Sequence, residues 1–173
     1  MTDEAAMTSV SEGNLNHAAI LYERYKRPMF NFFLRFGVVR EQSQDLTQQV
    51  FVRLIQYRHT FREGHEFKAW IYRIARNIYH DFLKENPFKI SDLDTALFVF
   101  EDQDDRQEQY QIVQKALNLL PDDYREVLIL SRYEELRYEQ IANLLECSVA
   151  NVKVKVHRAI KQLREVYFQL SEQ

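Results

Sequence analysis

The chain has 173 residues, which is enough for one ordinary domain or two small ones. Its 23 basic and 26 acidic residues give a formal net charge of −3, so the overall charge does not indicate a nucleic-acid partner. Three widely separated glycines exclude Gly-rich phosphate-binding loops, and the single cysteine excludes a disulfide framework and a multi-cysteine zinc site. The N-terminus has no basic start and no apolar core, and no apolar stretch is long enough to cross a bilayer. We therefore expect a soluble, cytoplasmic protein without membrane insertion.

Apolar residues recur at helical spacing along most of the chain, and no alternating run of strand length competes, so the sequence predicts an all-α protein. Three such stripes lie in the first half: Leu15–Phe33, Leu46–Leu54 and Trp70–Phe82. Ser43 is the expected N-cap of the second stripe, and Asn86-Pro87 must end the third. The sequence thus predicts an N-terminal tail at residues 1–14 and a bundle of three to four helices at residues 15–86.

Residues 87–111 have weak periodicity and a dense run of acids, which predicts a flexible linker. A second helical set begins at Ile112, and Pro121-Asp122-Asp123 has the residue types of a helix start. Further helices are expected over Tyr124–Tyr133, Tyr138–Leu145 and Val149–Phe168. The prediction is two small helical domains, residues 15–86 and 112–173, joined by an acidic linker.

Charge is distributed unevenly over these segments. Residues 17–86 contain 12 basic and 7 acidic residues, residues 87–111 contain 2 and 7, and residues 148–173 contain 5 and 2. Two basic blocks therefore flank an acidic one, and a phosphate backbone responds to such local fields. On charge alone, ordinary solvated surface charge is the better explanation.

The segment RYEQIANLLECSVANVKVKVHRAIKQLRE has the pattern of a helix-turn-helix, with Ser148 able to cap the second helix. Residues 148–164 contain five basic residues and no acid. Asn151, Lys155 and Arg158 share a side of the second helix and face away from its valines, which places donors for base edges and phosphates on a helix that fits a DNA groove. A basic surface helix within a bundle is the alternative interpretation.

The segment FREGHEFKAWIYRIARNIYHDFLK is more distinctive. On a helix from Phe67 to Lys84, basic and aromatic side chains alternate on the face opposite Trp70: Lys68, Tyr72, Arg73, Arg76, His80 and Lys84. Cations that follow a backbone, interleaved with rings that take unstacked bases, suit single-stranded nucleic acid. Trp70 itself and Ile74 are better explained as core residues.

Two further features accompany this helix. The preceding loop, Phe61–Glu66, contains the permissive Gly64 and is placed to contact a base that has left the stack. Upstream, Asp45, Gln48 and Gln49 lie on the polar side of the second stripe, which indicates a protein contact, with a solvated helix face as the alternative.

With these segments in order, the chain resembles an extracytoplasmic-function (ECF) sigma factor, the smallest type of bacterial RNA polymerase specificity subunit. The resemblance covers about residues 15–86 and 110–167. It is carried by DLTQQVFVRL, FKAWIYRIARN, LPDDYREVLIL and YEQIANLLECSVANVKVKVHRAIKQLR. It implies a sigma-two domain in the first half and a sigma-four domain in the second, with core RNA polymerase, promoter DNA and an anti-sigma factor as partners. The linker, residues 87–111, would thread through the polymerase, and the sigma-four domain would also dock on the β flap.

The resemblance also implies three sets of binding residues. The set for the β′ clamp of core polymerase is Asp45, Gln48, Gln49 and Phe51. The set for the minus-ten element is Phe61, Arg62, His65, Phe67, Lys68, Tyr72, Arg73, Arg76, Asn77, His80 and Lys84. The set for the minus-thirty-five element is Ser148, Asn151, Lys153, Lys155, Arg158 and Lys161.

The chain departs from the family pattern at a few of these positions. Gln49 stands where an acid is common, Lys155 where arginine is usual, and Val154 where serine or threonine is usual. Lysine is a point charge rather than a bidentate fork, so promoter preference at that position is expected to differ. Glu146 and Cys147 replace the more usual glycine-containing turn.

An enzyme and a stand-alone DNA-binding repressor are the two alternative classes of protein. An enzyme has no support, because the five histidines are scattered and no nucleophile–base pair or metal-ligand spacing is present; we expect no catalytic residues, metal, cofactor or small-molecule substrate. A stand-alone helix-turn-helix repressor explains residues 112–168, but it gives the Trp70–Asn77 segment and Gln48 no role.

Overall fold

A computed structural model describes residues 1–86 and 107–172 of the chain. These residues are helical, with no β-strand among them, which confirms the all-α fold. The α-helices are α1 (Asp3–Ser11), α2 (Ala18–Arg35), α3 (Arg40–Gln56), α4 (Phe67–Glu85), α5 (Gln107–Asn118), α6 (Asp122–Leu128), α7 (Tyr138–Leu145) and α8 (Val149–Ser171). Short 3-10 turns lie at Leu15–His17 and Arg58–Thr60, and a π-helical turn at Ile129–Tyr133 follows α6.

The described residues fall into two compact units. The first contains residues 1–33 and 39–86, and the second contains residues 34–38 and 107–172. Of the predicted linker, residues 87–106 lie outside the described residues, whereas residues 107–111 already belong to α5. No helix in the described ranges is both long enough and apolar enough to cross a membrane.

The inner face of α4 forms the centre of the first unit. Its buried residues repeat at intervals of three and four, as a helix that packs along one side requires: Phe67, Ile71, Tyr72, Ile74, Ala75, Ile78, Tyr79 and Phe82. α3 is in direct contact with α4, and the buried side of α3 includes Leu46, Val50 and Leu54. Each large apolar side chain buried in this way stabilises the fold by roughly 1.5–3 kcal/mol relative to its exposed state.

Residues 1–14, which the sequence analysis treats as a tail, contain α1, and α1 belongs to the core of the first unit. Its Ala6, Met7 and Val10 side chains are fully buried. The Thr2 hydroxyl caps α1 by accepting a hydrogen bond of 3.0 Å from the Ala5 N–H. α1 contacts both the Arg58–Thr60 turn and α4. The apolar stripe of α1 is short and partly alanine, so its composition alone did not reveal this packing.

An ionic and hydrogen-bonded cluster ties α1 to α2. The Asp3 carboxylate accepts hydrogen bonds of 2.8 Å from the Arg24 guanidinium and of 2.6 Å from the Tyr25 hydroxyl. Burial raises the pKa of Tyr25 well above its usual value, and the hydrogen bond to Asp3 raises it further. Tyr25 is therefore a hydrogen-bond donor at every physiological pH.

The start of α3 differs from the prediction. α3 begins at Arg40 after Val39, and Ser43 lies inside the helix, fully buried, with its carbonyl accepting a 2.6 Å hydrogen bond from the Thr47 hydroxyl. The expectation that Ser43 caps the helix was wrong, because the helix begins three residues earlier, at Arg40, with Val39 at the N-cap position. The boundaries of α4 are as predicted to within one residue, and α4 ends at Glu85, directly before Asn86.

In the second unit, α8 packs against α5, α6 and α7. Val152, Val156 and Ala159 form its buried side. The neighbouring helices contribute buried apolar side chains, among them Leu117, Val127 and Ile141.

A buried arginine closes the turn between α5 and α6. Arg125 is 8% exposed, and its guanidinium donates to the carbonyls of Leu117 (3.1 Å), Asn118 (2.8 Å) and Leu120 (3.1 Å). These carbonyls end α5 and the turn after it, and a helix C-terminus needs such donors. The cation is favourably placed there, because the C-terminal end of a helix carries partial negative charge.

Replacing this arginine should therefore destabilise the second unit selectively. Arg125→Met removes the guanidinium donor from three carbonyls, of which Leu117 keeps the 3.2 Å hydrogen bond from the Leu120 N–H. We expect the free energy of unfolding to fall by about 3 kcal/mol. Urea unfolding followed by far-ultraviolet circular dichroism measures the loss. The fluorescence of Trp70, which reports on the first unit, should keep its midpoint. Arg132→Met, at an exposed arginine of the same unit, is the control; equal stability of the two variants would contradict the role assigned to Arg125.

Candidate nucleic-acid interface

The polar face of α3 consists of Asp45, Gln48, Gln49 and Val52, which follow one another at intervals of three and four and are all exposed. It lies opposite the buried Leu46 and Val50. Val52 is 55% exposed, and sequence analysis did not single it out. The face therefore combines amide and carboxylate groups with one exposed apolar side chain.

Phe51 is less accessible than the predicted set for core polymerase assumes. Its side chain is half-buried, and the edge of its ring packs against Tyr22 with the centroids 4.9 Å apart. Tyr22 is itself exposed. The Tyr22–Phe51 pair thus extends the apolar part of this region onto α2.

The loop before α4 is held at its base by buried aromatic rings. Phe61 is 5% exposed and packs edge-on against Trp70 and Phe67, at centroid distances of 5.4 and 6.3 Å. Phe61 and Phe67 are thus core residues in this structure, and their contact with DNA stays a prediction. The sequence pattern does not distinguish aromatic rings that face inward at this loop from rings that face outward.

Between the buried Phe61 and Phe67 the chain is exposed to solvent. Residues 62–66 are exposed, and we call them the tip loop. Gly64 adopts a φ of +89°, a conformation that favours glycine. The His65 N–H donates a 3.0 Å hydrogen bond to the Arg62 carbonyl, which closes the turn. Arg62 and His65, both predicted to bind the minus-ten element, therefore lie where a ligand can reach them.

The outward face of α4 is basic and polar. Lys84, Arg73 and Asn77 are exposed and Arg76 and His80 are partly buried, and these five residues lie opposite the buried side of the helix. Lys68 is half-buried, and its helical phase is that of the buried Tyr72 and Ala75 rather than that of this face. The structure therefore brings five of the predicted residues to one side of α4: Arg73, Arg76, Asn77, His80 and Lys84.

Tyr72 is not among them. It is 1% exposed, and its ring packs against Phe32 of α2 at a centroid distance of 5.6 Å. The predicted alternation of cations and aromatic rings was wrong in this respect. Trp70, which the sequence analysis assigned to the core, is half-buried instead. Its ring lies beside Phe61 at the base of the tip loop and is partly accessible.

α1 fixes the position where α4 begins. The Glu4 carboxylate accepts a 3.1 Å hydrogen bond from the Phe67 N–H, the first of the backbone donors of α4 that have no partner within the helix. Its negative charge also complements the positive end of α4. Sequence analysis missed this contact, because residues 63 positions apart in sequence carry no local signal.

The helix-turn-helix is formed by α7 and the first half of α8. The Ser148 hydroxyl accepts a 3.1 Å hydrogen bond from the Asn151 N–H, which confirms Ser148 as the N-cap of α8. The turn between the helices passes through Glu146 in the left-handed conformation, with φ at +55°. The Cys147 N–H donates a 3.0 Å hydrogen bond to the Ala142 carbonyl. The turn is therefore regular although glycine is absent from it.

The outward face of α8 consists of Asn151, Val154, Arg158 and Lys161, all exposed. Lys153 is exposed to one side of this face, and Lys155 is half-buried on the other. All six predicted residues, Ser148, Asn151, Lys153, Lys155, Arg158 and Lys161, thus lie on or beside one surface. Its arrangement of amide and basic groups can donate hydrogen bonds to base edges and phosphates.

Within the described ranges, no group of three or more His, Cys, Asp or Glu side chains is arranged to hold a metal ion.

Comparisons with known proteins identify the family. A family model described as Sigma-70 region 2 matches residues 21–87, and one described as Sigma-70, region 4 matches residues 110–163. The two matches together cover well over half of the chain. The chain belongs to the sigma-70 family. Several of its relatives are described as ECF RNA polymerase sigma factors.

The relatives are similar over most of their length. The ECF RNA polymerase sigma factor SigM of Bacillus subtilis is 26% identical over 85% of this chain and 93% of its own length. The ECF RNA polymerase sigma-E factor of Escherichia coli is 26% identical, covering 92% of this chain and 91% of the relative.

Solved structures share the fold. A chain in the structure of CnrH in complex with the cytosolic domain of CnrY covers 95% of this sigma factor and 96% of its own length, with a TM-score of 0.75 at 21% identity. A chain in the complex of the sigma factor RpoE with the anti-sigma factor NepR from Bartonella quintana covers 86% and 94%, with a TM-score of 0.71 at 23% identity.

The burial of Phe61 leads to a stability prediction. Phe61→Ala should lower the free energy of unfolding of the first unit by about 3 kcal/mol, because it leaves a cavity between Trp70 and Phe67. Urea unfolding followed by Trp70 fluorescence measures the change. Arg62→Ala, one residue along the chain but exposed, should change it by less than about 0.5 kcal/mol. If Phe61→Ala were as stable as the unsubstituted protein, Phe61 would not be an anchor of the tip loop.

Proposed function

We propose that this sigma factor binds core RNA polymerase, directs it to specific promoters and helps to open the minus-ten region at the start of transcription. The observation that carries the proposal is that one chain presents two separate surfaces with exposed basic side chains, and these surfaces are of different kinds. One combines the tip loop with the outward face of α4, and the other is the outward face of a helix-turn-helix. We assign the protein a regulatory role in the cytoplasm, without catalytic activity of its own.

The tip loop and α4 suit the capture of unpaired promoter DNA. Arg73, Arg76 and Lys84 offer cations along one helix face, which can follow a phosphate backbone. Residues 62–66 protrude beyond a rigid aromatic base and can surround a base that leaves the stack. Because Phe61, Phe67 and Tyr72 are buried, the recognition of the base falls to the loop backbone, Arg62, His65 and the accessible part of Trp70.

The second unit suits the duplex at the minus-thirty-five element. In helix-turn-helix proteins, the N-terminal part of the second helix enters the major groove. Here that part carries Asn151 and Arg158 on its outward face, flanked by Lys153 and Lys155. The amide and guanidinium groups can pair with base edges, whereas the lysines are suited to phosphates.

The polar face of α3 suits a protein partner. Asp45, Gln48 and Gln49 lie beside the exposed Val52, and together these four side chains carry one negative charge. We assign this face the role of binding the β′ clamp of core polymerase. The β flap is assigned to the second unit as its binding partner.

An anti-sigma factor is the proposed regulator. The structures of CnrH with CnrY and of RpoE with NepR are similar in fold to this chain, and the second is described as a complex with an anti-sigma factor. Binding of such a partner over α4 and α8 would occlude both basic surfaces. Affinity purification under non-inducing growth conditions should recover one additional protein in place of polymerase; recovery of polymerase alone would contradict this part of the proposal.

Run-off transcription tests the main proposal. Bacterial core polymerase is incubated with a pool of genomic promoter fragments, with and without this protein. We expect specific transcripts only when the protein is added. If it neither binds core polymerase nor changes the transcripts, but alone shifts duplex DNA, a stand-alone helix-turn-helix repressor replaces the sigma factor as the explanation.

The same assay separates the two surfaces of the first unit. Arg76→Ala combined with Asn77→Ala should reduce open-complex formation by about tenfold or more, because hydrogen bonds to charged groups contribute roughly 1.5–3 kcal/mol each. Permanganate reactivity of unpaired thymines measures opening, and gel filtration with core polymerase measures binding.

A matched double variant provides the control. Gln111→Ala combined with Lys115→Ala removes one exposed amide and one exposed cation from α5 and should leave opening unchanged. Loss of core binding in the Arg76/Asn77 variant would instead assign this face a structural role or a role in polymerase binding.

A further inference from the structure

An apolar side chain occupies the centre of the outward face of α8. Val154 is 46% exposed. By helical geometry it lies about half a turn around the axis from the buried Val152 and Val156. Asn151 precedes it by one turn and Arg158 follows it by one turn, so the valine stands between two hydrogen-bonding side chains on the same face.

A single exposed valine is ordinary on a protein surface. Its position makes this one informative, because the surrounding side chains are those that would contact bases. When such a face enters the major groove, water leaves it, and a base-edge donor or acceptor opposite a valine loses its hydrogen bond without a replacement. A valine there therefore favours an apolar feature of the DNA.

The major groove offers one such feature. The C5-methyl group of thymine is the only methyl group among the unmodified base edges, and apolar side chains contact it in protein–DNA complexes. We propose that Val154 selects thymine at one position of the minus-thirty-five element by packing against its methyl group. This inference rests on the proposed function and adds a residue that determines promoter sequence.

Burial of one methyl group gives the expected size of the effect. Removing a buried methyl or methylene group from an apolar contact costs about 0.8 kcal/mol, which is about fourfold in affinity. Deoxyuridine differs from thymidine only by that methyl and keeps the hydrogen bonds of the base pair. Replacement of single thymidines by deoxyuridine therefore isolates the proposed contact.

The experiment uses the holoenzyme formed from core polymerase and the full chain. A promoter that the holoenzyme recognises is prepared with each thymidine of its minus-thirty-five region replaced in turn by deoxyuridine, and the affinity for each fragment is measured by competition. We expect about a fourfold loss at one position and little change elsewhere. With Val154→Ala holoenzyme, the loss at that position should shrink to within the error of measurement.

The variants are chosen so that folding does not confuse the result. Val154→Ala removes an exposed side chain, and alanine favours helix more than valine does, so α8 should keep its stability. Phe168→Ala is the matched control, because Phe168 is also exposed (59%) and apolar but lies about four turns further along α8. The fourfold loss caused by deoxyuridine should persist in this control.

The outcomes distinguish a failure of the proposed function from a failure of the role assigned to Val154. If no holoenzyme forms, or it gives no specific transcripts, the proposed function itself fails. If the holoenzyme is specific but its minus-thirty-five region contains no thymine, or no deoxyuridine substitution matters, the role of Val154 is wrong while the proposed function stands. Persistence of the fourfold loss with Val154→Ala would also overturn the inference.

Discussion

Burial of the inner side of α4 is the constraint on which the first unit depends. Eight of the 19 residues of α4 are buried, and they contact side chains of α2 and α3. Because these residues repeat with the helical period, the rotation of α4 about its own axis is fixed. The residues between them, Arg73, Asn77 and Lys84, must then face solvent together. The basic surface is thus a geometric consequence of the core.

The two basic surfaces are supported by different kinds of local structure. The tip loop is held between the buried rings of Phe61 and Phe67, and its exposed part is short, so its backbone has little freedom at either end. The start of α8 is held instead by hydrogen bonds, from the Asn151 N–H to Ser148 and from the Cys147 N–H to Ala142. Rigid support of this kind reduces the entropy that a binding surface loses when a ligand orders it.

Local sequence signals predicted most of the fold. The periodicity of α4, the cap at Ser148 and the turn before α8 depend on neighbouring residues, so a reader of the sequence can find them. Burial of Tyr72 involves the ring of Phe32, which lies 40 residues earlier in the chain. For Tyr72 and Phe61 alike, a helix-period pattern does not distinguish an aromatic residue at the edge of the core from one at the edge of the surface. α1 escaped notice for the same reason: its stability comes from Arg24, Tyr25 and α4 rather than from its own composition. The exposure of Val154, by contrast, follows directly from helical phase.

The hydrogen bond from Phe67 to Glu4 has a consequence for how the protein is made. It joins residues 63 positions apart, whereas Arg125 of the second unit bonds carbonyls only 5 to 8 residues away. Chains are synthesised from the N-terminus, so α1 leaves the ribosome well before the helix that completes its packing. The first unit must close a long loop before it gains that contact, whereas the turn around Arg125 can form as soon as it emerges. α1, the helix that is translated first, therefore completes its packing only after α4 has been translated.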